Sequence, residues 1–364
     1  MSAVLRLLSL LLLLVLASCG DSVPPDVSVE QAGTFSVGTT RFAVHDAART
    51  RDLTVQAWFP TTASASDTPI EQLEAEPPRM RYADLLAAAP ACPSRSLSVA
   101  LDAAPTAGPY PIVLLSHCHA CTRLSNATTA IRLASHGFIV LAVDHAGDTL
   151  WEKLDGTEAP IDAAELDIRQ ADVRAVLDAT AAGTTPVSAS ADLTRVGVLG
   201  HSMGAVTAGR VAQLDTRITA AAALCAPMEN PLVPGVALGE LHMPLLFVVA
   251  AEDNSITELG NNFIRDNFTD ANTTAYKVEI ADAGHWSVSD LDGLVPAFKA
   301  GCGDAIRQTD DQPFTYLPPT TGRAIAAAYA TAFFRATLLD DAGARSYVEH
   351  ASTTLGATLT VAHH

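Results

Sequence analysis

The chain has 364 residues, room for one large domain or two small ones, and 49% of them are hydrophobic, enough for a sizeable core. Its formal net charge is −18, which repels phosphate backbones and excludes nucleic acid as a partner. No run of five or six like charges marks an interaction tail.

The N-terminus comes first. One positive charge, Arg6, precedes an almost pure Leu run over residues 7–16, too short to span a bilayer comfortably, so residues 1–18 read as a signal peptide. The ending Leu16-Ala17-Ser18-Cys19 resembles a bacterial lipobox. That resemblance implies that Cys19 becomes the lipid-bearing N-terminus of an exported lipoprotein, held on a membrane and facing the periplasm or the cell exterior. Ordinary signal cleavage nearby is the alternative. Residues 19–34 then form a polar, Pro-containing tether.

Residues 35–59 alternate as two strands, and residues 60–110 read as a long connection with one short helix near residues 81–89. After Pro111 the rhythm changes. Apolar runs over 112–115, 138–143, 196–199, 219–224, 245–250 and 275–280 alternate with helical patterns over 164–179, 204–214 and 324–339. This is the pattern of a mostly parallel central sheet flanked by helices. One α/β domain is expected over residues 35–345, followed by a C-terminal tail over 346–364.

Gly200-His201-Ser202-Met203-Gly204 matches G-x-S-x-G, with a strand running in and a helix running out. That setting is a nucleophile elbow, which presents the Ser202 hydroxyl at a helix N-terminus. A serine needs a base. His285, in the Gly284-His285 loop after the last apolar run, is the candidate. The acid belongs after the run at 245–250, where Asp253 and Glu252 compete. One oxyanion donor is the Met203 N–H. The other belongs to the loop Ser116-His117-Cys118-His119-Ala120-Cys121.

These segments resemble the α/β-hydrolases of the platelet-activating factor acetylhydrolase and dienelactone-hydrolase-like group, and the bacterial cutinase-type polyester hydrolases. The carriers are residues 55–60, 111–117 and 133–140, together with Gly200-His201-Ser202-Met203-Gly204 and Ala283-Gly284-His285. The resemblance implies a carboxylic ester hydrolase without a cofactor, in which Ser202 is nucleophile, His285 base and Asp253 acid. It implies that the His119 N–H is the second oxyanion donor. It places His117, Cys118, Met228 and Trp286 around the substrate, in an open site without a large lid. A small-molecule, lipid or polymeric ester is the expected partner. Two departures stand out. Cys118 replaces the glycine usual in Ser-His-Gly. An ungapped alignment to the polyester hydrolases puts Asn254 at the acid position, and a one-residue shift restores Asp253.

Five cysteines follow Cys19, an odd number for an exported protein. Cys118 is close enough to pair with Cys121, and Cys92 with Cys302 is the other pairing to test. His117, Cys118, His119 and Cys121 also invite a zinc reading, but their spacing fits no familiar site and no metal is expected. A functional reading of another class is a lipid-anchored, non-catalytic binding protein on the same scaffold.

Overall fold

The computed structural model describes residues 23–89, 95–299 and 301–364. The expected signal peptide, Cys19 and Cys92 lie outside the described residues.

Two-residue alternation builds the first hairpin. β1 (Ser36–Asp46) pairs antiparallel with β2 (Arg51–Thr61) along its whole length. Leu53, Val55, Ala57 and Phe59 face one core while Trp58 faces the other. The connection that follows holds β3 (Ser66–Pro69), α1 (Pro78–Ala88) and β4 (Ser96–Leu101). The helix answers the sequence reading. The two strands do not, because they are short strands at the end of the sheet, β3 outermost and β4 beside it, whose only large buried apolar residues are Leu97 and Val99.

The remaining elements alternate. They are β5 (Tyr110–Ser116), α2 (Ala127–Ser135), β6 (Ile139–Val143), α3 (Leu150–Asp155), α4 (Ala163–Ala181), β7 (Ala191–His201), α5 (Met203–Leu214), β8 (Ile218–Leu224), β9 (Leu245–Ala250), α6 (Thr257–Asp270) and β10 (Ala275–Ile280). After them come the small hairpin β11 (Asp304–Ile306) and β12 (Pro313–Thr315), then α7 (Pro319–Leu338), α8 (Ala342–Val348) and β13 (Leu359–His363). Eleven strands form one sheet in the order β13-β10-β9-β8-β7-β5-β6-β2-β1-β4-β3, and β5 to β10 run parallel. Helices α2 and α7 cover one face; α4, α5 and α6 cover the other. A mostly parallel sheet needs both faces covered, and the two core clusters are that cover. This is the single α/β domain the pattern predicts. Between β8 and β9 lies only one short turn, Leu238–Glu240, and no helical lid.

Both ends of the described chain correct the expectation. The segment over 346–364 is not a tail: β13 pairs antiparallel with β10 from Tyr276↔His363 to Ile280↔Leu359 and becomes the outermost strand of the sheet. Its five residues are too few to stand out after the long apolar α7. The tether over 19–34 is docked from Asp26 onward. Val27–Glu30 forms a 3-10 turn. The Glu30 carboxylate takes hydrogen bonds from Tyr347, Ser352 and Thr354. Asp26 pairs with Arg335 at 2.9 Å, and the Gly33 N–H donates to Ser135 Oγ at 2.9 Å. Since α2 runs from the carboxyl end of β5 back to the start of β6, Ser135 marks the amino end of the parallel strands.

Candidate active site

The carboxyl ends of parallel strands are where an open α/β sheet gathers its chemistry. Here β5, β7, β9 and β10 deliver the loops carrying His119, Ser202, Asp253 and His285.

Ser202 sits between β7 and α5 with φ +56° and ψ −122°, left-handed backbone rare for a residue with a Cβ. Close packing on both sides imposes it. A Cβ on Gly200 would meet the Gly204 carbonyl oxygen at 1.8 Å, and one on Gly204 would meet the Ser116 carbonyl oxygen at 2.0 Å. Both glycines are therefore steric requirements that let α5 start against the ends of β7 and β5. The Ser202 N–H donates to the Leu224 carbonyl at 2.9 Å, tying the turn to β8. Met203 opens α5, so its N–H is among the first-turn amides that the helix cannot satisfy.

The structure brings His285 and Asp253 together. His285 Nδ1 donates to Asp253 Oδ2 at 2.7 Å, and both residues are buried. Asp253 Oδ1 accepts the N–H groups of Ser255 and Ile256 at 2.9 and 2.8 Å. With Nδ1 protonated toward Asp253, the lone pair of His285 is on Nε2. Glu252 is turned elsewhere: its carboxylate accepts Arg307 Nη1 at 2.9 Å and the Gln308 N–H at 3.0 Å. His201 packs 5.0 Å from the His285 ring and donates Nε2–H to the His285 carbonyl at 3.0 Å. Burial pushes the His201 imidazole well below its ordinary range, so it stays neutral. Trp286 sets its edge against His285, stacks on Phe298 at 4.3 Å, and donates Nε1–H to Ser255 Oγ at 3.2 Å.

The other expected pocket residues fare differently. Met228 has no accessible surface; it packs against Gly209 of α5 within the core and is corrected from pocket lining to core. His117 is likewise fully buried, and its ring bonds only backbone groups: Nδ1–H donates to the Cys118 carbonyl at 2.6 Å, and Nε2 accepts the His145 N–H at 3.0 Å. It too is scaffold. Cys118 is disulfide-bonded to Cys121, so the two sulfurs a zinc ion would need hold each other. Cys302 is disulfide-bonded as well, while Cys225 is a buried free thiol whose pKa burial pushes well up. His119 keeps part of its side chain exposed, 2.7 Å from Asp148.

The sequence reading missed a buried network behind this loop. Ser116 Oγ donates to His145 Nε2 at 2.9 Å, and His145 Nδ1 donates to Asp172 Oδ2 at 3.1 Å. Arg169 and Asp148 form a fully buried ion pair beside it. Arg169 was detectable: Leu166, Arg169, Val173 and Leu177 share the buried stripe of α4, and a cation there requires a buried partner.

Comparison with known proteins yields two family profiles. The PET hydrolase-like profile matches residues 104–295, and the profile of platelet-activating factor acetylhydrolase, isoform II, matches residues 27–150. No curated protein matches the sequence. Among solved structures, the ferulic acid esterase from Streptomyces cinnamoneus superimposes with a TM-score of 0.70 over 91% of this chain and 97% of that one, at 23% identity. At that identity the likeness shows a shared fold.

Proposed function

The chain belongs to the PET hydrolase-like family, and from that premise we propose that it is a carboxylic ester hydrolase whose acyl-enzyme forms on Ser202. Ser202 Oγ attacks the ester carbonyl carbon and gives its proton to His285 Nε2. The leaving alcohol takes that proton, and water then releases the acid by the same shuttle. Asp253 holds the imidazole in the required tautomer and stabilises the imidazolium. The Met203 and His119 N–H groups receive the oxyanion. The observation that carries this reading is the buried Asp253–His285 hydrogen bond, 2.7 Å long, in the loops beside the strained Ser202 turn.

Short-chain esters, phospholipid acyl groups and polyesters are the substrate classes proposed, and the absence of a helical lid between β8 and β9 favours an open site. Replacing Ser202 by Ala should abolish hydrolysis of p-nitrophenyl acetate and labelling by a fluorophosphonate. A variant active at the wild-type rate sinks the proposal, and an unlabelled wild type points to a non-catalytic scaffold. An acyl-chain-length series, extended to a polyester film and an oxidised phospholipid, ranks the substrates. We propose further that Cys19 carries a lipid and that the domain works outside the cytoplasm; the lipobox-like Leu16-Ala17-Ser18-Cys19 supports this.

A further inference from the structure

Three buried side chains that the proposed chemistry does not use converge on the loop carrying His119. The nearest is His117. Its Nδ1–H is bonded to the carbonyl of Cys118, at 2.6 Å. That carbonyl belongs to the same peptide plane as the His119 N–H, so fixing one aims the other. The Nε2 side of the ring is pinned by the His145 N–H at 3.0 Å, which leaves the imidazole no freedom to turn. Burial, helped by the positive charge of Arg169, pushes the His117 imidazole well below its ordinary range, so the ring is neutral and has one donor and one acceptor.

The second and third are Arg169 and Asp148, both without accessible surface. Arg169 donates to the His117 carbonyl and to Asp148 Oδ2. It also reaches Ser116 Oγ at 3.3 Å and Thr207 Oγ1 of α5 at 3.2 Å. Asp148 Oδ1 accepts the Ala120 N–H at 2.8 Å and lies 2.7 Å from His119 Nδ1. The ion pair thus holds the loop on both sides of His119, at the His117 carbonyl and at the Ala120 amide. Ala120 is held at φ +54°, and the Cys118–Cys121 bond closes the same short turn.

We propose that His117 is a positioning residue of the ester hydrolase, fixing the peptide plane between Cys118 and His119 so that the His119 N–H points at the developing oxyanion, with Arg169 and Asp148 bracing the turn. A donor held before the reaction costs no reorganisation during it, so the role should appear in kcat rather than KM. The inference rests on the oxyanion assignment proposed above.

His117→Phe keeps a ring in the cavity and removes the donor. His117→Asn keeps an N–H that can reach the Cys118 carbonyl. With p-nitrophenyl acetate, and with folding checked by circular dichroism, the Phe variant should lose about 10- to 100-fold in kcat while KM stays within about threefold. The Asn variant should recover most of the loss. A folded Phe variant with kcat within twofold of wild type, a loss confined to KM, or an Asn variant no better than Phe overturns the role. Should the Phe variant not fold, Asp148→Asn decides by the same split: a kcat about tenfold lower at unchanged KM supports the bracing, and an unchanged kcat overturns it. The Ser202→Ala control separates the two levels. If it is inactive while folded His117→Phe is fully active, only the positioning role falls. If it is fully active, the ester-hydrolase reading falls and takes this one with it.

Discussion

Asp253 and Glu252 are adjacent in sequence and chemically alike, yet their carboxylates are committed to different partners. Asp253 has both oxygens occupied, one by His285 and the other by two backbone N–H groups. Glu252 is spent on Arg307 and the Gln308 amide. The contrast predicts unequal costs. Asp253→Asn offers His285 a wrong tautomer and should lower kcat by about 10³- to 10⁴-fold with KM little changed. Glu252→Gln should leave kcat within about threefold, because it loses an ion pair with the partly exposed Arg307 and no hydrogen bond to the base. Equal kcat losses in steady-state assays of the two variants would contradict the assignment. The ungapped alignment that places Asn254 at the acid position has its physical answer in the same loop, where Asp253 is the residue bonded to His285 Nδ1.

At the scale of elements, the β7–turn–α5 unit is held by close approach. The tight contact between Gly204 and the Ser116 carbonyl means that α5 can begin only where no side chain intervenes. Gly204→Ala should therefore force β5 and α5 apart, lower the melting temperature by several degrees and reduce activity at least tenfold, since Met203 and Ser202 move with the helix. Differential scanning fluorimetry beside the esterase assay checks both. This unit was legible in the sequence because everything that defines it is local: an apolar strand, a Gly-x-Ser-x-Gly turn and a helical repeat. The parallel sheet was legible for the same reason, through its apolar runs. The buried network behind the His119 loop was not. Its contacts join β5, the turn after β6, and α4, and only the misplaced charge of Arg169 hinted at it. His117 and Met228 were misread because a position matched to a resembling family does not tell which way the side chain faces, and both are fully buried.

At the scale of the whole molecule, both ends of the described chain fold back onto the domain. β13 covers the edge of β10, and the turn around Val27–Glu30 packs against α8 and the last turn of α7. A lipid on Cys19 should then act as an anchor and nothing more. Cys19→Ala should move the protein from the membrane to the soluble fraction while its specific activity on p-nitrophenyl acetate stays within about twofold of wild type. Fractionation followed by assay tests this, and a protein that stays on the membrane removes the anchor. The chain enters the domain at the amino ends of the parallel strands, beside Ser135 and Arg335, whereas Ser202 and His285 lie at the carboxyl ends. The seven Cα-to-Cα steps from Cys19 to Asp26 reach at most about 25 Å. Were the proposed lipid on Cys19 to hold the enzyme by so short a leash from its rear, its mouth would turn outward, toward solutes and particles arriving from the surroundings, with the lipids of its own bilayer behind its back.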